Sequence, residues 1–133
     1  MAVGELNRLD AASGHLSGME VSSSSAFGAL ALTSLDGLPI AESHRMLLVL
    51  VGNSRNADTV IADGVMTSWG TGGTVVTEPM NAKVTLAGGA FEVHRLDPLT
   101  GTRLGTIPVV RSKGHATVEI GRDAKTIYFE LLR

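Results

Sequence analysis

The chain has 133 residues, one domain's worth, and its 11 Lys and Arg against 13 Asp and Glu give a net charge of −2. That balance, with no basic cluster, speaks against a nucleic-acid partner, and the absence of cysteine excludes disulfide scaffolds and cysteine-based zinc sites. The longest apolar run, Met46 to Val51, is far short of the ~20 residues a membrane span needs, so no membrane partner is expected.

No stretch keeps an apolar period of 3.6 over a helix length. Short runs of Val, Ile, Leu and Thr alternate with polar residues and end at Gly, Pro, Asn or Asp, which is an all-β pattern. Residues 1–25 are the exception. Gly4, Gly14, Gly18 and the serine run Ser22 to Ser25 commit them weakly, with Met1 to Arg8 read as a frayed end and Leu16, Met19 and Val21 as one edge strand. The β-sandwich domain is expected over 26–133. Phe27 to Leu35 is its first strand, and Asp36-Gly37 supplies a tight turn. Pro39 marks an edge or a bulge. His44 to Val51 is apolar on both faces and predicts a central strand covered on both sides. Asn53 to Asp58 reads as a polar loop, and Asp63 to Thr74 as a second loop, rich in glycine and carrying the only Trp. Thr74 to Glu78 and Lys83 to Ala87 follow as short strands.

The last third reads as two hairpins. Phe91 to Leu96 and Leu104 to Val110 flank the turn Asp97-Pro98-Leu99-Thr100-Gly101. Ala116 to Ile120 and Thr126 to Leu131 flank Arg122-Asp123-Ala124-Lys125. A four-residue loop there pairs Ile120 with Ile127, Val118 with Phe129 and Ala116 with Leu131 on one inward face. It sets Glu119 opposite Tyr128 on a polar, exposed face. About nine strands in this arrangement predict a two-sheet antiparallel β-sandwich, jelly-roll or immunoglobulin-like, with a closed barrel as the competing architecture.

No catalytic constellation emerges. The serines lack a nucleophile-elbow context, and His15, His44, His94 and His115 have no metal-ligand spacing and read as surface or turn histidines. Gly70, Gly72 and Gly73 do not open a helix after a strand, which argues against a phosphate cradle. Asp58 and Asp63, with Asn53 and Asn56 close by, are candidate calcium ligands, although such residues also build turns. Trp69 in Ser68-Trp69-Gly70-Thr71-Gly72-Gly73 has two readings: a plug at one end of the core, or an exposed platform for the C–H face of a sugar ring. Tyr128 shares the ambiguity, and Glu119 stands beside it in the expected register. Asn53, Arg55 and Asn56 carry the amides and the guanidinium fork that read sugar hydroxyls, or they form a solvated turn.

The segment from Ser34 through Asp36-Gly37, Pro39-Ile40, Ser43 and Arg45 to Leu48 resembles a strand-turn-strand in the C-terminal β-sandwich domains of bacterial glycoside hydrolases. The order of further matches is similar: Gly52 to Asn56, Trp69-Gly70, Glu78-Pro79, then Leu96-Asp97 with Gly101, Arg103, Gly105 and Pro108-Val109, and a closing Thr126 to Glu130. Ile127 stands where that closing strand often has Trp, and the first thirty residues match poorly. The resemblance implies a non-catalytic module beside a catalytic domain that degrades polysaccharide. It would bind soluble β-glucan chains (cello-oligosaccharide, xyloglucan or mixed-linkage glucan) in a cleft, or pack on the catalytic barrel without a ligand. It also implies a secreted or extracellular enzyme, although this chain shows no signal peptide of its own.

Overall fold

Short aliphatic runs cut by glycine turns give strands and no α-helix among the described residues, which in this computed structural model are 1–4, 15–16, 19–23, 27–88 and 91–133. In chain order the strands begin with β1 (Ala2–Gly4), β2 (His15–Leu16), β3 (Met19–Ser23), β4 (Gly28–Ser34) and β5 (Arg45–Val51). Next come β6 (Ser54–Asn56), β7 (Val60–Ala62), β8 (Val65–Ser68), β9 (Val75–Thr77) and β10 (Ala82–Ala87). The last are β11 (Glu92–Leu96), β12 (Arg103–Ile107), β13 (Val109–Ser112), β14 (His115–Ile120) and β15 (Tyr128–Leu132), with a 3-10 turn at Arg122–Ala124 before β15. A six-stranded sheet runs β1-β4-β5-β15-β11-β12 and a five-stranded sheet runs β13-β14-β10-β3-β2. All pairings are antiparallel, and the two sheets face each other as a β-sandwich, larger than the nine strands expected.

One core fills the space between the sheets. Leu30, Met46, Leu48, Leu50, Val93, Phe129 and Leu131 come from the six-stranded sheet, and Met19, Val21, Val84, Leu86, Ala116, Val118 and Ile120 from the other. The alternation along each strand dictates this, because a side-chain period of two sends every second residue inward. β5 shows the limit of the apolar reading. Met46, Leu48 and Leu50 are buried, but Leu47, Val49 and Val51 on its outer face are only half-buried, so the strand is central without being fully covered on both sides. Met19 and Val21 lie in the core, with β3 flanked by β10 and β2. Of the segment expected to fray, Ala2–Gly4 pairs with β4, and residues 5–14 lie outside the described residues.

Three connections differ from the sequence reading. The first is Asp36-Gly37, which does not close a two-residue hairpin. The Asp36 carboxylate instead gathers the whole link between β4 and β5. It accepts from Ser34 Oγ (2.7 Å), Ser43 Oγ (2.8 Å) and the amides of Leu38, His44 and Arg45 (3.3, 2.7 and 3.2 Å). The Ser34 hydroxyl foremost, with the Ser43 hydroxyl and the amides of His44 and Leu38, holds its carboxyl far below the usual carboxylate range against the opposing effect of desolvation.

Second, the strand expected over 104–110 breaks at Pro108, which has no N–H for a ladder. β12 stays with β11 in the six-stranded sheet, and β13 crosses to pair with β14 through the turn Lys113 (φ 47)-Gly114 (φ 79). The hairpin over Asp97 does form, with Asp97 Oδ1 accepting from the amides of Leu99 (2.9 Å) and Thr100 (2.8 Å).

Third, β14 and β15 are not a hairpin. They lie in opposite sheets, β14 between β13 and β10, and β15 between β5 and β11. Ala116, Val118, Ile120, Phe129 and Leu131 still point inward, but they meet across the core rather than side by side. The 3-10 turn carries the chain across, with Ala124 buried and its carbonyl receiving Arg95 Nη1 at 3.5 Å. The pairing of Glu119 with Tyr128 therefore fails. Glu119 is 3.9 Å from Lys83 on the outer face of one sheet, and Tyr128 pairs with Val49 on the outer face of the other.

Candidate functional site

The two segments read as loops, 53–58 and 63–74, form an arm of paired strands. β6 pairs with β9 (Ser54↔Thr77, Arg55↔Val76, Asn56↔Val75), and β7 pairs with β8 across the turn Asp63 (φ 51)-Gly64 (φ 76). Both turn residues sit in the left-handed region that two-residue hairpins demand, so the Asp-Gly at 63–64 was a legible hairpin signal.

Trp69 follows β8 and is 75% exposed, which overturns the core-plug reading. Its loop is tightly held. The Trp69 carbonyl accepts from Asn56 Nδ2 (2.8 Å) and Thr59 Oγ1 (3.3 Å), and the Gly70 amide donates to Ser68 Oγ (3.2 Å). Asp58 Oδ2 accepts from both the amide and the hydroxyl of Thr71, each at 2.6 Å. The Thr71 hydroxyl and amide hold the Asp58 carboxyl below its ordinary range. Glycine suits position 70, since it takes φ 76 and a Cβ would displace the Asp58 carboxylate.

Strand alternation divides the neighbouring polar residues. Asn53 and Arg55 share one face of the β6–β9 ladder with Val76 and Glu78, where Asn53 Nδ2 and Arg55 Nη1 each reach the Glu78 carboxylate at 3.4 Å. Ser54, Asn56, Val75 and Thr77 take the opposite face, the one whose Asn56 amide holds the Trp69 carbonyl. Trp69 and Asn56 are thus brought together, Asn53 and Arg55 meet at Glu78, and Tyr128 and Glu119 lie elsewhere. Tyr128 is half-buried, and Glu119 borders a depression of ≈ 490 Å³ with Lys83, Ser22 and Asn81. As for calcium, Asp58 spends an oxygen on Thr71, Asp63 sits in the β7–β8 turn, and no group of three or more acidic or histidine side chains able to hold a metal occurs among the described residues.

Three features had no clear sequence signal. Glu130 is 2% exposed, with Arg45 Nε and Arg103 Nε each 2.6 Å from its oxygens. Burial pushes its carboxyl up, but the hydrogen bonds and charges of Arg103 and Arg45 outweigh burial, and the net direction is down. His94, read as a surface histidine, is 12% exposed at its side chain and lies 3.4 Å from Glu92. The third feature is a cleft at the base of the arm, where Val75, Thr77 and Pro79 face Arg122 and Lys125 of the expected hairpin loop together with Thr126 and Ile127.

Comparison with protein-family models, with curated proteins and with solved structures returned no match for this chain.

Proposed function

We propose that this β-sandwich is a non-catalytic carbohydrate-binding module of a secreted polysaccharide-degrading enzyme, taking soluble glycan chains, β-glucans first, at the Trp69 end of the arm. The observation that carries this reading is an indole left in solvent on a hydrogen-bonded loop. The only Trp of the chain is 75% exposed, on a loop fixed by hydrogen bonds from Asn56, Thr59, Gly70 and Thr71. A large apolar ring gains nothing for the fold in water, whereas a rigid aromatic face suits the C–H face of a sugar at low entropic cost. Tyr128, the other aromatic candidate, is half-buried in a sheet face and does not extend this platform, which fits a single soluble chain better than a flat crystalline surface.

A second reading rests on a different observation. Val60, Ile61, Val65 and Met66 of the β7–β8 hairpin are 53%, 50%, 64% and 38% exposed. A two-stranded hairpin is marginal by itself in water, and exposed aliphatic side chains fit one covered by a neighbouring surface. This is the reading of a structural sandwich that packs on a glycoside hydrolase barrel through its arm.

Calorimetry with cellohexaose, xyloglucan oligosaccharides and mixed-linkage glucan tests the first reading. Binding is expected, and Trp69→Ala should weaken it by about 1–2 kcal/mol, roughly five- to thirtyfold, with an unchanged melt. No heat with any glycan, from a folded protein, refutes it and leaves the docking arm.

A further inference from the structure

At the base of the arm lies a cleft of ≈ 450 Å³, within the size range of small-ligand sites. Val75, Pro79, Pro98 and Ile127 give it apolar walls, and Thr77 and Thr126 add hydroxyl-bearing side chains. Its charged lining is two cations, Arg122 and Lys125, with no carboxylate. Neither cation forms a hydrogen bond or ion pair from its side chain among the described residues. Asp123, between the two cations in sequence, does not line the cleft, and Asp97 is committed to the amides of Leu99 and Thr100.

The cationic segment is held in place before any ligand arrives. Arg95 Nη1 donates to the Ala124 carbonyl (3.5 Å), Thr126 Oγ1 to the Leu96 carbonyl (2.6 Å), and the Leu50 amide to the Ile127 carbonyl (2.9 Å). Lys125 has a left-handed backbone, φ 52. Asp63 and Lys113 share that conformation, but each precedes a glycine in a two-residue hairpin turn, and Lys125 does not. Lys125 takes it as the residue that closes the 3-10 turn, where a left-handed backbone is usual, and its side chain forms no ion pair among the described residues.

The cleft and the Trp69 loop belong to one surface. Val75 and Thr77 line the cleft from the same face of the β6–β9 ladder that presents Asn56, and the Asn56 amide holds the Trp69 carbonyl. We propose that the cleft binds the anionic group of an acidic glycan, a uronate carboxylate or a sulfate ester, through Arg122 and Lys125. This rests on the carbohydrate reading and narrows its ligand from neutral to acidic chains. The sugar ring lies against Val75, Pro79, Pro98 and Ile127, and the two cations, lacking an acid of their own, supply charge-assisted donors.

Calorimetry on the intact chain with three probes of one backbone tests this: cellohexaose, the corresponding β-1,4-glucuronate hexamer, and 6-O-sulfated cellohexaose. At low salt an acidic hexamer should bind about tenfold or more tightly than cellohexaose, and about 0.5 M salt should erase the advantage. The tighter of the two acidic probes identifies carboxylate or sulfate. Arg122→Gln combined with Lys125→Gln should remove the advantage and leave cellohexaose binding unchanged, whereas Lys125→Arg should keep it. Equal affinity for neutral and acidic hexamers overturns the acidic cleft and leaves the Trp69 site standing. An acidic preference that survives the double substitution also overturns it. Failure of all three probes to bind overturns the acidic cleft, and failure of xyloglucan oligosaccharides and mixed-linkage glucan as well overturns the carbohydrate reading itself.

Discussion

Glu130→Gln removes a buried negative charge and keeps the side-chain volume. The carboxylate is 2% exposed and is held by Arg45 Nε and Arg103 Nε, each at 2.6 Å. A hydrogen bond to a charged group is worth about 1.5–3 kcal/mol when desolvated. The two arginine side chains are 60% and 50% exposed, so solvent screening takes back roughly half, and the substitution should cost about 2–3 kcal/mol at neutral pH. At roughly 3–5 °C per kcal/mol for a chain of this size, the melting temperature falls by about 6–15 °C. The pH dependence is the sharper test. The Glu130 carboxyl lies below its ordinary value in the folded protein, so its stabilisation is fully present above the unfolded carboxyl's value of about 4.3. It is lost as pH falls through the lower folded value. Asp36, Asp58 and Asp97 are shifted in the same direction, but they give an acid limb common to both proteins. Melting followed by circular dichroism from about pH 7 to pH 2 should therefore show a gap between wild type and variant that closes only in acid. A variant within about 2 °C of wild type at neutral pH, or a gap independent of pH, refutes the reasoning.

Phe129, fully buried between the sheets, gives a second test: Phe129→Ala should cost about 3–5 kcal/mol in urea unfolding, and less than about 1 kcal/mol would mean that the sheets do not close over it. Gly70→Ala forces a Cβ against the Asp58 carboxylate at a positive φ, so the Asp58–Thr71 contacts should break and the Trp69 fluorescence anisotropy should drop, while the core melt changes little. Unchanged anisotropy would show that the Trp69 platform does not depend on that latch.

How far the site could be read ahead of the structure differs residue by residue. Trp69 was singled out because a lone Trp among glycines is conspicuous, but only the folded loop decided between core and solvent. Asn53, Arg55 and Asn56 were grouped because they are close in sequence. Arg55 and Asn56 lie in strand β6 rather than in a loop, with Asn53 just before it, and a period of two sends Asn56 to one face and the other two to the opposite one. Arg122 and Lys125 carried no visible sign, since their cleft exists only where β9 comes against the turn before β15.

Local pattern alone set the all-β class and most of the inward residues of the last strands, although Ile127, expected inward with them, is half-buried just before β15. Alternation is a local property, and Ala116, Val118, Ile120, Phe129 and Leu131 are all buried as their spacing required. It could not determine which strand each one pairs with. Two apolar faces joined by a short link can lie side by side in one sheet or meet face to face across a core, and both bury the same residues. Contacts made far along the chain settled the choice: β15 inserts between β5 and β11, β14 pairs with β10 and β13, and the Ala124 carbonyl is held by Arg95. That choice placed Tyr128 and Glu119 on opposite outer faces and brought Arg122 and Lys125 against the arm, because antiparallel strands joined through a turn can belong to different sheets whenever hydrogen-bonding partners from elsewhere complete both edges.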